Sequence, residues 1–362
     1  MIFAQFSDLH IVEKGRLAYG VVDTAAMLAA AVDHLGRLPF PVDFVLATGD
    51  LVDHGTAQEY AHLRALLSPL RVPCFFVIGN HDAREALRAS FACDGALALY
   101  PASGAAAGKP PAPHGSRAAG EGGVQASGGY AQPLAICASG LEESGFLHYT
   151  IEAGGLRIVV LDTVVPGEGG GELCAARLAW LKEQLAQHKV PTVIAMHHPP
   201  FATGIAHMDA ISLKGADAFE EIVAGHAQVR RIVCGHLHRA IQADVAHTTA
   251  ITAPSVAHQI VLNLGGKGAA SEVSSAGLDG LESLEDLEGL GGPEDLGGPE
   301  GLSSQEDLES REDPGIEEDL GGLEGLVMEP PGYLLHWWNG RRLTTHQTVI
   351  GNYPGPFPFR SD

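Results

Sequence analysis

The sequence predicts an α/β layered domain, and three observations lead to it. Six short apolar runs rich in Val, Ile and Phe are separated by stretches with helical periodicity. The runs are continuous rather than alternating, as strands of a sheet covered on both faces must be. Five of them lead into clusters of Asp, Asn or His, at the edge where open α/β sheets gather their ligands.

Taken in order, the first run is 2–6 (IFAQF), followed by Asp8 and His10. A helical pattern over 23–38 opens at Asp23, a residue type suited to an N-cap. Run 42–47 (VDFVLA) leads to Gly49-Asp50 and a helix over 57–67. Run 74–78 (CFFVI) leads to Gly79-Asn80-His81-Asp82 and a helix over 84–91. Run 156–161 (LRIVVL) finishes at Asp162, read as a polar residue closing a strand, and is followed by a helix over 175–187. Run 192–196 (TVIAM) leads to His197-His198, with a helix over 217–226 beyond it. Run 229–234 (VRRIVC) leads to Gly235-His236 and His238, and "EPPGYLLHWW" at 329–338 returns to folded character late in the chain.

Two segments do not fit. Residues 101–132, rich in Gly, Ala and Pro, read as a loop. Residues 266–327 repeat Leu every six residues from Leu278 to Leu326, with Pro314 at one position, and read as a disordered acidic low-complexity insertion. The expected organisation is one catalytic domain formed by 1–265 and 328–362, interrupted by that insertion.

The formal charge of −22 is local: residues 265–328 hold 18 Asp/Glu against Lys267 and Arg311, leaving −6 for the remainder. No Lys/Arg stripe is present, so nucleic acid is not an expected partner. No apolar run is long enough to span a membrane. The start, "MIFAQFSDLH", shows no leader pattern, and Cys74, Cys93, Cys137, Cys174 and Cys234 lack CxxC spacing. These features predict buried free thiols and a cytoplasmic protein.

The clustered residues mix carboxylate oxygen, imidazole nitrogen and one amide oxygen, without thiolate. That donor set suits Mn, Fe, Zn or Co better than Ca or Mg. It reads as a site for two divalent ions, with a carboxylate such as Asp50 placed to bridge them and Asn80 adding a ligand without charge.

The ordered blocks D-x-H, G-D, G-N-H-D, H-H and G-H-x-H, spread over residues 8–238, resemble the calcineurin-like metallophosphoesterases. "LAYGVVD" (17–23), "MHHPPFATGIAHMD" (196–209), "CGHLHR" (234–239) and "PSVAHQI" (254–260) are similar to their class III cyclic nucleotide phosphodiesterase and glycerophosphodiesterase branch. "GDLVDHG" (49–55) also resembles the Ser/Thr phosphatases, which carry Arg where this chain has His54.

The resemblance implies a four-layer α/β/β/α sandwich around two mixed sheets. It implies one metal on Asp8, His10, Asp50 and His238 and another on Asp50, Asn80, His197 and His236. His81 would handle the phosphoryl group, with Asp53 orienting it, and a metal-bridging hydroxide would attack phosphorus in line. His198 is expected to support a ligand rather than to bind, while Tyr19, His207 and His258 are candidates for substrate contact. The aromatic, Pro-rich segment 346–359 is a candidate contact for a homodimer or larger oligomer.

The expected reaction is hydrolysis of a small phosphodiester, foremost a 3',5'-cyclic nucleotide such as cAMP. A glycerophosphodiester, a phosphomonoester, or a non-catalytic scaffold role stay open on the sequence.

Overall fold

Strands of mostly four to seven residues, buried on one or both faces, build two seven-stranded mixed sheets. The computed structural model describes residues 1–93, 95–101, 134–142, 145–264, 325–351 and 353. Residues 102–132 of the expected loop, the expected insertion up to residue 324 and half of the segment 346–359 fall outside them.

The first sheet holds β1 (Ile2–Phe6), β2 (Phe44–Thr48), β3 (Cys74–Val77), β4 (Ala92–Cys93) and β5 (Ala96–Leu99). Much later in the chain, β17 (Gly332–Trp338) and β18 (Leu343–Val349) complete it in the order β18-β17-β1-β2-β3-β5-β4. β1, β2 and β3 run parallel, whereas β17 meets β1 antiparallel with Ile2 opposite Trp337.

The second sheet holds β6 (Ile136–Ser139), β7 (Tyr149–Ala153), β8 (Leu156–Val160), β10 (Thr192–Ala195), β12 (Val229–Cys234), β13 (Gln242–Val245) and β14 (Thr248–Thr252). Its order is β13-β14-β12-β10-β8-β7-β6, parallel from β8 to β14 and antiparallel at both edges. Two small ladders lie outside the sheets: β9 (Gly171–Glu172) with β11 (Leu213–Lys214), and β15 (Gln259–Ile260) with β16 (Leu326–Val327).

Successive residues of one strand serve two different cores, which is why the runs read as continuous. Ile158, Val160, Val193, Ala195 and Val233 join the core between the sheets. Their neighbours Val159, Leu161, Ile194, Met196, Ile232 and Cys234 pack on the other side, against helices α4 (Ala175–Gln187) and α6 (Ala216–Ala224). Helices α1 (Thr24–Gly36), α2 (Ala57–Leu67) and α3 (Arg84–Phe91) cover the first sheet, and the short α5 is Ala206–Ala210. The result is the four-layer α/β/β/α sandwich.

Local chemistry sets the helix starts. Asp23 accepts a hydrogen bond from the Ala26 backbone N–H at 2.9 Å and caps α1. Thr56 and Glu59 form a reciprocal capping box on α2. Cys74 and Cys234 are buried as expected, but Cys93 and Cys137 are exposed because they lie on strands at sheet edges. Among the described residues no helix is long and apolar enough to cross a membrane.

Candidate metal centre

The parallel strands of both sheets point their carboxyl ends at one edge of the sandwich, so the residues following β1, β2, β3, β10 and β12 meet there. Backbone contacts fix the meeting. The His236 N–H donates to Asp8 Oδ1 at 2.9 Å, and Leu9 and His10 N–H both donate to the Asp50 carbonyl at 2.8 and 3.0 Å. Close approach explains the glycines in these blocks. A Cβ on Gly79 would lie 2.2 Å from the Asp50 nitrogen, and one on Gly49, whose φ is +96°, would lie 2.3 Å from His197 Nδ1.

Asp8, His10, Asp50 and His238 form one group, all buried, with a ligating atom of each within 4.8 Å of the others. His10 Nδ1 donates to Asp53 Oδ1 at 3.0 Å and His238 Nδ1 donates to the His258 carbonyl at 3.0 Å. Both partners are acceptors only, so both rings carry their proton on Nδ1. The two unprotonated Nε2 atoms then face one another at 3.1 Å. Asp8 Oδ2, also buried, has no hydrogen-bond partner.

The second group repeats this arrangement. His197 Nδ1 donates to the Thr48 carbonyl at 2.9 Å, which leaves Nε2 facing Asn80 Oδ1 at 3.0 Å and Asp50 Oδ2 at 3.3 Å. His236 lies beside it, ring centroids 5.1 Å apart. In both groups acceptors are aimed at acceptors inside a buried space. Such an arrangement is stable only with positive charge between the atoms, either a proton or a cation.

The electrostatics agree. Burial pushes the Asp8 carboxyl up to about 6. Burial also opposes charge on Asp50, but the neighbouring His197 holds its carboxyl well below the usual range. Burial disfavours the His197 cation too, and the Asp50 carboxylate overcomes it, carrying that imidazole up to about 9. His236 is pushed down to about 3 by burial and then by His197, and burial also lowers His238. Positive charge is thus favoured on His197, where the donor set would accept a metal ion, and the carboxylate, amide and imidazole atoms around Asp50 fit divalent metal.

Backbone strain concentrates at the same place. Among the described residues, seven non-glycine residues have positive φ, and five of them are Asp8, His10, Asp50, His236 and His238. Each left-handed residue costs on the order of 1–3 kcal/mol, a cost met at sites where the geometry itself is used.

The calcineurin-like phosphoesterase family model matches residues 1–240 of the chain. The chain belongs to that family. As a member it is a phosphoester hydrolase, and the family uses divalent metal ions. This phosphoesterase is 28% identical to a probable glycerophosphodiester phosphodiesterase of Arcobacter nitrofigilis, over 100% of its own length and 98% of the relative's. It is 31% identical to a probable cyclic nucleotide phosphodiesterase of Rhodopseudomonas palustris, covering 74% of this chain and 82% of that one. A cAMP/cGMP dual specificity phosphodiesterase of Mycobacterium tuberculosis is 30% identical, over 66% of this chain and 61% of the relative.

His81 stands at the mouth of the phosphoesterase's centre. Its backbone N–H donates to Asp50 Oδ1 at 3.0 Å, its ring meets His10 edge-on at 4.6 Å, and its side chain is 35% exposed. Asp53 lies against His81, and the contact runs through its backbone. His81 Nδ1 donates to the Asp53 backbone carbonyl at 2.9 Å, while the carboxylate is engaged by His10 and stands 3.7 Å from His81. The Asp53 turn presents its carbonyl outward and its side chain inward, so one residue holds two imidazoles by different atoms.

Tyr19, half-exposed and in a left-handed conformation, covers the opening, 5.2 Å from the His258 ring and 6.3 Å from the His10 ring. His258, expected at a substrate surface, is 1% exposed and packs beneath Tyr19 among the histidines, since Ser255 and Val256 bond to Asp8 and Ser7 and draw the segment inward. His207 lies in α5 with a buried, unpartnered Nε2, and no described hydrogen bond or ring contact joins it to the centre.

His198 lies beside His236, ring centroids 4.6 Å apart, and its two ring nitrogens bond Thr163 Oγ1 at 2.8 Å and the Gly169 carbonyl at 3.1 Å. Asp162 closes its strand by taking two hydrogen bonds from Arg84 at 2.6 and 2.8 Å. Asp82 holds the turn: it accepts from Gly79 and Leu51 N–H and from the Tyr60 hydroxyl. Sequence reasoning missed the carbonyls of Thr48 and His258. Thr48 immediately precedes Gly49-Asp50, and that adjacency was the available signal.

Proposed function

We propose that this phosphoesterase hydrolyses a small phosphodiester, foremost a 3',5'-cyclic nucleotide such as cAMP, with two divalent ions drawn from Mn, Fe, Zn and Co. The observation that carries the reading is the pair of buried groups in which carboxylate, amide and imidazole acceptors face one another around Asp50. Asp8, His10, Asp50 and His238 would hold one ion, and Asp50, Asn80, His197 and His236 the other. When bound, the ions acidify water and offset the charge on phosphoryl oxygens.

The chain's own residues do the remainder. His81, fixed by the Asp53 carbonyl through Nδ1, presents its outer edge to a phosphoryl oxygen or to the leaving alkoxide, which it can protonate. Asp53 fixes the His10 tautomer. Tyr19 is placed to contact the organic part of the ester. The relatives named as cyclic nucleotide phosphodiesterases support the diester class. Whole-length similarity to the Arcobacter protein favours a second reading, a glycerophosphodiester.

The test is the metal-reconstituted full chain assayed on cyclic AMP, cyclic GMP, a glycerophosphodiester, an aryl diester and an aryl monoester. Turnover of cyclic AMP and the aryl diester is expected. Preference for the glycerophosphodiester would select the second reading, and activity on the monoester alone would overturn both.

A further inference from the structure

His258 is a buried imidazole with no hydrogen-bond partner for Nδ1. Its ring lies 4.5 Å from that of His238 and 5.4 Å from that of His10, centroid to centroid. A ring nitrogen from each of the three lies within 4.8 Å of the others. We propose that His258 is a fifth protein ligand of the ion held by Asp8, His10, Asp50 and His238, completing a three-imidazole position. This rests on the two-metal reading above.

Four features argue for ligation over plain packing. The imidazole is buried with an unsatisfied nitrogen, which a buried histidine avoids unless another group takes the lone pair. The segment carrying it is anchored to the centre just ahead of the ring and tied back on itself just after it. Ser255 Oγ donates to the Asp8 carbonyl at 2.8 Å, Val256 N–H donates to the Ser7 carbonyl at 3.3 Å, and the Gln259 amide donates to the Ser255 carbonyl at 3.1 Å. The His258 carbonyl already fixes the His238 tautomer, so backbone and ring address the same neighbour. Tyr19 packs edge-on against the ring at 5.2 Å.

The consequence is an asymmetric pair of positions. The first would offer three imidazoles and two carboxylates. The second would offer two imidazoles, one neutral amide and the shared carboxylate. More nitrogen and more charge make the first position the tighter one and tilt it toward Zn, Fe or Co over Mg.

Cobalt(II) titration of the metal-free full chain tests this, with visible absorption and bound-metal stoichiometry as readouts. Wild type should bind two equivalents in a tight and a weak class. His258→Ala should weaken the tight class about tenfold or more and change its absorption, leaving the weak class unaltered. His258→Gln, which keeps polarity in the same space, should show the same loss. Added free imidazole should restore the wild-type spectrum of His258→Ala, a rescue that a packing role would not produce. Wild-type affinity and spectrum in His258→Ala would overturn the assignment, as would weakened binding without spectral change or rescue. No cobalt bound by wild type would remove the two-metal reading itself.

Discussion

Asp53 reaches His10 with its carboxylate and His81 with its carbonyl, at 3.0 and 2.9 Å. One turn residue therefore sets the orientation of a candidate ligand and of the candidate proton donor, by separable atoms. Asp53→Asn keeps the carbonyl and removes the charged acceptor. It should lower affinity for the first ion roughly 10- to 100-fold while leaving kcat at saturating metal within a few-fold. Activity as a function of added manganese separates the two, and a collapse of kcat at saturation would show the carboxylate acting in the chemistry.

His81 and Asn80 are neighbours with different tasks. His81→Ala should retain two bound metals and lose roughly 100- to 10,000-fold in kcat. Asn80→Ala should instead lower occupancy of the second position. Metal content of the purified variants distinguishes them, and unchanged content in the Asn80 variant would refute its role as a ligand.

Gly79 is a steric requirement. Its built Cβ would sit 2.3 Å from Asp50 Oδ1. Gly79→Ala must push the Asp50 carboxylate aside; if Asp50 is shared as proposed, both positions should weaken together, in contrast to the one-sided effect at Asn80. Calorimetric titration with manganese would reveal one loss or two.

Tyr60 donates to Asp82 Oδ1 at 2.9 Å, and burial pushes that carboxyl up to about 7. Tyr60→Phe should cost about 1–2 kcal/mol in urea unfolding, because a buried acceptor loses a partner. Activity per folded molecule should stay near wild type, since Gly79 and Leu51 still hold the other oxygen.

His336 and His148 give the metal-free protein an acid sensitivity. Burial, then Arg231, pushes His336 down to about 3, and burial pushes His148 down to about 4. In the unfolded chain both would protonate near 6.5. The unfolded state binds more protons below that value, so their contribution is complete above about 6.5 and is lost as pH falls toward 4 and then 3. Each should add a slope of about 1.4 kcal/mol per pH unit within its window. Urea unfolding of metal-free His336→Gln from pH 6.5 to 4.5 should lack one such increment, and an unchanged slope would show that His336 is not held neutral.

The parallel interior was legible because a strand covered on both faces leaves an unbroken apolar run, as in 229–234 or 74–78. The antiparallel borders were not. β6, β13 and β18 mix half-buried with exposed residues and carry polar ones such as Ser139, Gln242, Thr344 and Gln347, so they lack that signature. The strand-end residues were legible as a group because each follows its strand directly. The division of labour at Asp53 was hidden, since carbonyl and carboxylate of one residue are distinguished only by the turn. The neighbours of His258 were hidden for a related reason: it is brought beside His10 by contacts between Ser255 and Asp8, which no local pattern announces.

The pairing of β1 with β17 joins Ile2 to Trp337. A chain emerging from the ribosome thus displays its first strand long before its antiparallel neighbour is made. Until then the outer edge of β1 is an open template for other nascent chains, and Asp8 hangs from a strand with only one flank secured. Closure of this edge has to wait for β17, a long-range pairing that slows folding. Fragments cut ahead of Gly332 would keep every strand-end cluster, but would present an unpaired β1 and should be recovered mainly as aggregates.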